Sequence, residues 1–145
     1  MSLRPLTRPL TAVVLACGLV TATTPPPATA GSSEYGRVWR KDGTLRPGCH
    51  DYRFQYRVKP RAADPDNEDD WAVEFFLVDR RGRGLGALAK DSAVDPRRGR
   101  GSFEICRQTT VPGRFTIRGK LSVYDDGHLV DEVRVQPGRF RLRRA

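Results

Sequence analysis

Hydrophobic and polar positions alternate along much of this chain with the period of a β-strand. Tyr52, Phe54, Tyr56 and Val58 share one parity while Arg53, Gln55 and Arg57 take the other, which predicts a half-buried strand. Trp71–Val78 is aromatic and β-branched with little polarity on either face, as a central strand would be. Phe103 and Ile105 flank Glu104, and Phe115, Ile117, Leu121 and Val123 keep one parity through Gly119. Asp125-Asp126-Gly127-His128 reads as a hairpin turn, because Gly127 tolerates positive φ. Leu129–Val135 returns from it, Phe140 and Leu142 make a short last strand, and Arg37–Arg40 opens the set before a turn at Lys41–Thr44. No amphipathic helix with caps is present, and Leu85–Ala93 reads at most as one short helical turn. The pattern predicts an all-β fold: a single sandwich of about seven to eight antiparallel strands.

The N-terminal segment is different in kind. Arg4 and Arg8 precede the apolar run Leu10–Val20, and Ala28-Thr29-Ala30 supplies small residues for cleavage. Residues 1–30 are therefore read as a secretory signal peptide and residues 31–145 as one domain. Cleavage after Ala22 is a second option. Val14-Leu15-Ala16-Cys17 resembles a lipobox, so a lipid anchor at Cys17 is the alternative address to full secretion. Nothing after residue 30 is long and apolar enough to span a bilayer.

Removal of the leader leaves two cysteines, Cys49 and Cys106, in an oxidising compartment, and pairing them is the expectation. The closed loop of 58 residues corresponds to about 4 kcal/mol on a chain-entropy estimate.

The order Cys49, Trp71, Cys106 resembles that of immunoglobulin-like domains, and Pro112–Ile117 resembles the strand entry of secreted bacterial sandwich modules. With 22 Arg against 4 Lys, the chain looks like a small secreted immunoglobulin-like β-sandwich protein of a GC-rich Gram-positive bacterium. That resemblance implies an inter-sheet disulfide packed beside Trp71, and it implies no function. The match departs in three places. Cys49 has the parity of the polar face of its strand, which places it before or at a bulge. Trp71 lies 22 residues on, beyond a long acidic loop, and Glu104 stands where such domains carry Tyr.

Charge narrows the function classes. The whole chain carries +9, and removing the leader takes Arg4 and Arg8 with it. Acids crowd into Asp64, Asp66, Glu68, Asp69 and Asp70, a weak calcium candidate that fails as an EF-hand because Asp69 takes the place of the required Gly and Phe75 that of the final Glu. Arginines crowd into two identical pentapeptides, Arg80-Arg81-Gly82-Arg83-Gly84 and Arg97-Arg98-Gly99-Arg100-Gly101. Both are expected on loops, where Arg80, Arg81, Arg83, Arg97, Arg98 and Arg100 would form a positive patch, extended by Arg139, Arg141, Arg143 and Arg144.

Ser102, Ser122, His50 and His128 sit in no motif that activates a nucleophile, and two His with two Cys are too few for a zinc site. No catalytic residue, cofactor or metal is assigned, and no sequence-specific nucleic-acid reader is present. The leading expectation is a secreted, non-catalytic module that binds an extracellular or cell-envelope polyanion. A protein-interaction or inhibitor module docking through a strand edge or loop is the alternative, and a small secreted hydrolase the third.

Overall fold

The computed structural model describes residues 31–61 and 70–144. The leader with Cys17, both cleavage options, and Asp64, Asp66, Glu68 and Asp69 of the acidic segment lie outside the described residues. Asp70 is described. It opens a strand, and its Oδ1 accepts a hydrogen bond from the Ser92 hydroxyl at 3.0 Å.

Among the described residues eight strands form: β1 Ser32–Trp39, β2 Gly43–Leu45, β3 Cys49–Val58, β4 Asp70–Val78, β5 Gly84–Asp91, β6 Arg98–Cys106, β7 Gly113–Asp125 and β8 His128–Arg144. They build one sheet, in the order β5-β4-β7-β8-β1-β3-β6, with β2 also on β8. The sheet rolls into a nearly closed barrel whose edge strands β5 and β6 face each other. The expected division into two sheets does not occur. Parallel pairing of β1 and β2 with β8 is what lets a single sheet curl round, and local alternation carries no record of that long-range pairing.

Chain direction defines two ends. The disulfide end holds the start of β3, the finish of β6 and the β4–β5 turn. The hairpin end holds the β7–β8 turn, where Asp126 (φ 46°) and Gly127 (φ 78°) form the two-residue connection between paired Asp125 and His128. The anticipated turn is therefore present. Leu129–Val135 and Phe140–Leu142 are parts of the one strand β8, interrupted by a register shift around Gly138.

Leu85–Asp91 is strand, and a single turn follows only from Asp91, where the Asp95 N–H donates to the Asp91 carbonyl at 2.9 Å. The strand segment forms most of β5, pairing with β4 from Ala72↔Asp91 to Val78↔Gly84. Ala, Leu and Lys favour helices, but the hydrogen-bonding edge of β4 overrides that preference. At its far end Lys90 pairs with Asp95 at 2.7 Å, and the Tyr56 hydroxyl donates to the Pro96 carbonyl at 3.1 Å, which fixes the β5–β6 connection.

Inward residues fill the barrel. Phe54, Phe75, Phe103 and Tyr56 form an aromatic cluster, with Phe54 stacked on Phe103 at 5.1 Å and edge-on to Phe75 at 5.3 Å. Opposite walls therefore meet through side chains, and the fold offers a packed interior rather than a lumen. Function has to be sought on the outside.

The disulfide joins Cys49 and Cys106, directly opposite each other on neighbouring strands. The Arg107 N–H donates to the Gly48 carbonyl at 2.9 Å, so the flanking pair is hydrogen-bonded and the cysteine pair is not. Side chains approach most closely at such positions. Both cysteines have outward parity, which explains why Cys49 shares a face with Arg53 and Arg57. The inter-sheet bridge beside Trp71 is thus replaced by a bridge within the sheet: Trp71 is buried near the hairpin end, and the disulfide closes the other.

Candidate anion-binding surface

The outward residues of β1, β3 and β6 make up a basic face of the barrel wall. Register places Arg37 opposite Arg57, and Arg57 opposite Arg98. Adjacent strands lie about 4.8 Å apart, so three guanidinium side chains start from a line about 10 Å long. One step along, Trp39, Gln55 and Arg100 form the next row, followed by Arg53 and Ser102. The Arg37 guanidinium lies over the Trp39 ring at 4.9 Å, which lays it along the surface. Arg57, Arg98 and Arg100 are exposed, and no ion pair joins any of these arginines to a carboxylate among the described residues.

At the hairpin end the same face turns into a surface pocket of about 410 Å³, lined by Arg57, Val58, Lys59, Pro60, Arg97 and Arg98. Four of its six residues are cationic. Like charges directly opposite one another destabilise a sheet, so the row is an electrostatic cost that an anionic partner would remove. Towards the disulfide the sign reverses, since Asp51 faces Glu104.

The two pentapeptides do not form one patch. Arg97, Arg98 and Arg100 belong to the face just described, whereas Arg80, Arg81 and Arg83 occupy the β4–β5 turn at the other end. The eight residues of β5 separate them, about 25 Å of strand. Only the first copy is on a loop. In the second, Arg98–Gly101 are strand residues with the arginines outward and the glycines inward. A Cβ at Gly99 would meet the Tyr56 hydroxyl at 2.7 Å, and one at Gly101 would meet Phe54 at 2.5 Å, so those glycines make room for the aromatic core.

In the first copy Asp79 pairs with Arg83, while Arg80 and Arg81 have no carboxylate ion pair among the described residues. Asp79 Oδ1 accepts N–H bonds from Arg81 at 2.8 Å and Arg83 at 3.0 Å, and its Oδ2 lies 3.2 Å from an Arg83 Nη. Burial would raise the Asp79 pKa, but these N–H donors and the Arg83 guanidinium outweigh it and hold the carboxyl below its ordinary value.

Arg139, Arg141 and Arg143 point outward from β8, with Arg141 facing Arg114 on β7 and Arg143 facing Thr44 on β2, where Arg144 faces Leu45 at the strand's end. Arg139 also lines a second groove of about 650 Å³ with Phe76, Arg118 and Arg134, among others. On that side Arg114, Arg118, Arg134, Arg139, Arg141 and Arg143 are exposed and none has a carboxylate ion pair among the described residues. Lys120 on the groove's rim is held by Glu74 at 2.9 Å and Glu132 at 3.3 Å.

Sequence reasoning missed Arg37, Arg53, Arg57 and Trp39. Their parity marked them as outward, but only the β1-β3-β6 register lines them up. Of the histidines, His50 has its Nε2 2.6 Å from the Pro47 carbonyl oxygen and serves the local turn. Cys49, Glu104 and Cys106 cluster, but both sulfurs are used by the disulfide.

A scan against protein-family models finds no match, and a search of curated proteins finds none either.

Proposed function

We propose that the protein is a secreted, non-catalytic binding module that captures an extracellular or cell-envelope polyanion on the outer face of β1, β3 and β6. The observation that carries this reading is the cross-strand row Arg37–Arg57–Arg98, which has no carboxylate partner among the described residues. Arg100, Arg53, Arg97 and Lys59 extend it in two directions. Guanidinium groups bind phosphate and sulfate oxygens in pairs, and a row of them suits a repeating anionic chain more than a single small ion. Teichoic acid, acidic polysaccharide and extracellular DNA share that chemistry. Recognition would be of charge spacing and not of base sequence.

Docking through a strand edge draws less support. The free edges of β5 and β6 face each other, with Leu88 close to Gly101 and Phe103 close to Gly86.

The test is retention of the mature chain on immobilised heparin and on teichoic acid over a salt gradient. Binding should weaken steeply with salt. Arg37→Ser, Arg57→Ser and Arg98→Ser together should abolish retention at physiological ionic strength while the melting curve stays cooperative. Unchanged retention of that triple variant would overturn the reading.

A further inference from the structure

A second basic site lies near the disulfide end, and its key residue is held quite differently from those of the row. Arg40 follows β1, and its guanidinium carbon sits 5.1 Å from the Tyr52 ring centre and 5.2 Å from that of Phe140. One Nη donates to the Arg53 carbonyl, while Nε is buried with no partner. No carboxylate pairs with Arg40 among the described residues. Burial lowers its pKa, opposed by Tyr52 and reinforced by neighbouring Arg46.

Arg40, Thr44, Arg46, Asp51, Tyr52 and Arg53 line a pocket of about 590 Å³. Its wall is built rather than incidental. The Tyr52 hydroxyl accepts from the Arg46 N–H at 2.9 Å and donates to the Thr44 carbonyl at 3.3 Å, which fastens the approach to β2 against β3. Three guanidinium groups thus border one cavity whose single acid is Asp51.

A half-buried cation is ordinarily matched by a counter-charge, because desolvation without one is costly. We propose that this pocket binds a single tetrahedral oxyanion, a phosphate or sulfate group, with Arg40 as the fixed donor and Arg46 and Arg53 as the exposed ones. The site shares Arg53 with the margin of the polyanion face but does not depend on the Arg37–Arg57–Arg98 row. Stacking on two rings pre-orients Arg40, so little side-chain freedom is lost on binding. Its group could come from free phosphate or from the phosphorylated end of a polymer.

Nitrogen-15 NMR of the mature protein provides the test, with the Arg40 Nε–H resonance as probe and inorganic phosphate, sulfate and a short oligomer with or without a terminal phosphate as titrants. A saturable shift is expected with phosphate and with the phosphorylated oligomer. A response to the phosphorylated oligomer alone would still support the site and would identify the polymer end as the source. Arg46→Ser, at an exposed position, should weaken the apparent affinity about tenfold, the loss of one charge-assisted contact. Arg57→Ser with Arg98→Ser should leave it unchanged, so failure of the polyanion reading would not disturb this result. No saturable shift with any titrant, or equal affinity in Arg46→Ser, would overturn the proposal.

Discussion

The two Arg-Arg-Gly-Arg-Gly segments are identical in sequence and unlike in structure. In the first, Asp79 stands one residue ahead and collects the N–H groups of Arg81 and Arg83, so the chain turns, with Gly82 at φ 80°. In the second, Pro96 precedes the segment and β3 offers a long free edge, so the chain extends from Arg98. Five residues do not choose between turn and strand. The flanking acceptor and the available edge choose, and the choice decides whether the arginines sit in a turn, with Arg83 paired to Asp79, or line up on a strand.

Substitution at matching positions should break this equivalence. The largest effect is expected at the last glycine of each copy. Gly101→Val would drive a side chain into Phe54 and Leu88, whose nearest atoms would lie 2.5 and 2.6 Å from the new Cβ, and should cost about 3 kcal/mol, lowering Tm by roughly 10 °C or more. Gly84→Val, with nothing within 4 Å, should change stability by less than about 0.5 kcal/mol. Thermal melts of the pair decide the point, and equal losses would contradict it.

Next come the middle glycines, where both copies should suffer for different reasons. Gly82→Ala puts a Cβ on a left-handed backbone and should cost about 1 kcal/mol, whereas Gly99→Ala collides with the Tyr56 ring and hydroxyl. A Tyr56→Phe background should relieve part of the Gly99→Ala loss and none of the Gly82→Ala loss.

The Asp79 turn should be sensitive to acid, and the β6 copy should not. Asp79 is below its ordinary pKa, so its ionised form is the one favoured by folding. That contribution is complete above the unfolded value near 3.8 and is lost as pH falls through the lower folded value. Asp79→Asn should melt below the wild type at pH 6, with the gap closing under acid conditions. A gap independent of pH would contradict the assignment.

The smallest effect is expected in the row itself. Arg57→Gln removes a charge held between Arg37 and Arg98 and should raise stability by about 0.3 kcal/mol at low salt, an increment that added salt erases. Urea melts at two ionic strengths would resolve it.

Much of this architecture is written locally in the chain. The alternation from Tyr52 to Val58 shows which way every residue of β3 points, the Asp-Gly turn sets the β7–β8 hairpin, and the even cysteine pair gives the bridge. The polar parity of Cys49 reads as a position before or at a bulge, but β3 pairs with β6 in unbroken register from Cys49 and the bridge simply lies on the outer face. What stayed hidden depends on distant pairing. β5 reads as a weakly patterned segment with at most one helical turn because its edge contacts come from β4, and barrel closure needs β1 beside β8, about a hundred residues away. The row of arginines was hidden for the same reason. Each member is visible, but only register makes them neighbours.

The most direct measurement compares polyanion binding by two double variants. Heparin affinity as a function of salt should fall sharply, with a shallower salt slope, in Arg98→Ser/Arg100→Ser. It should stay close to wild type in Arg81→Ser/Arg83→Ser, whose arginines lie at the opposite end of the barrel from the row, Arg83 paired with Asp79. Equal losses in the two variants, or the larger loss in the turn variant, would contradict the β1-β3-β6 face as the binding surface.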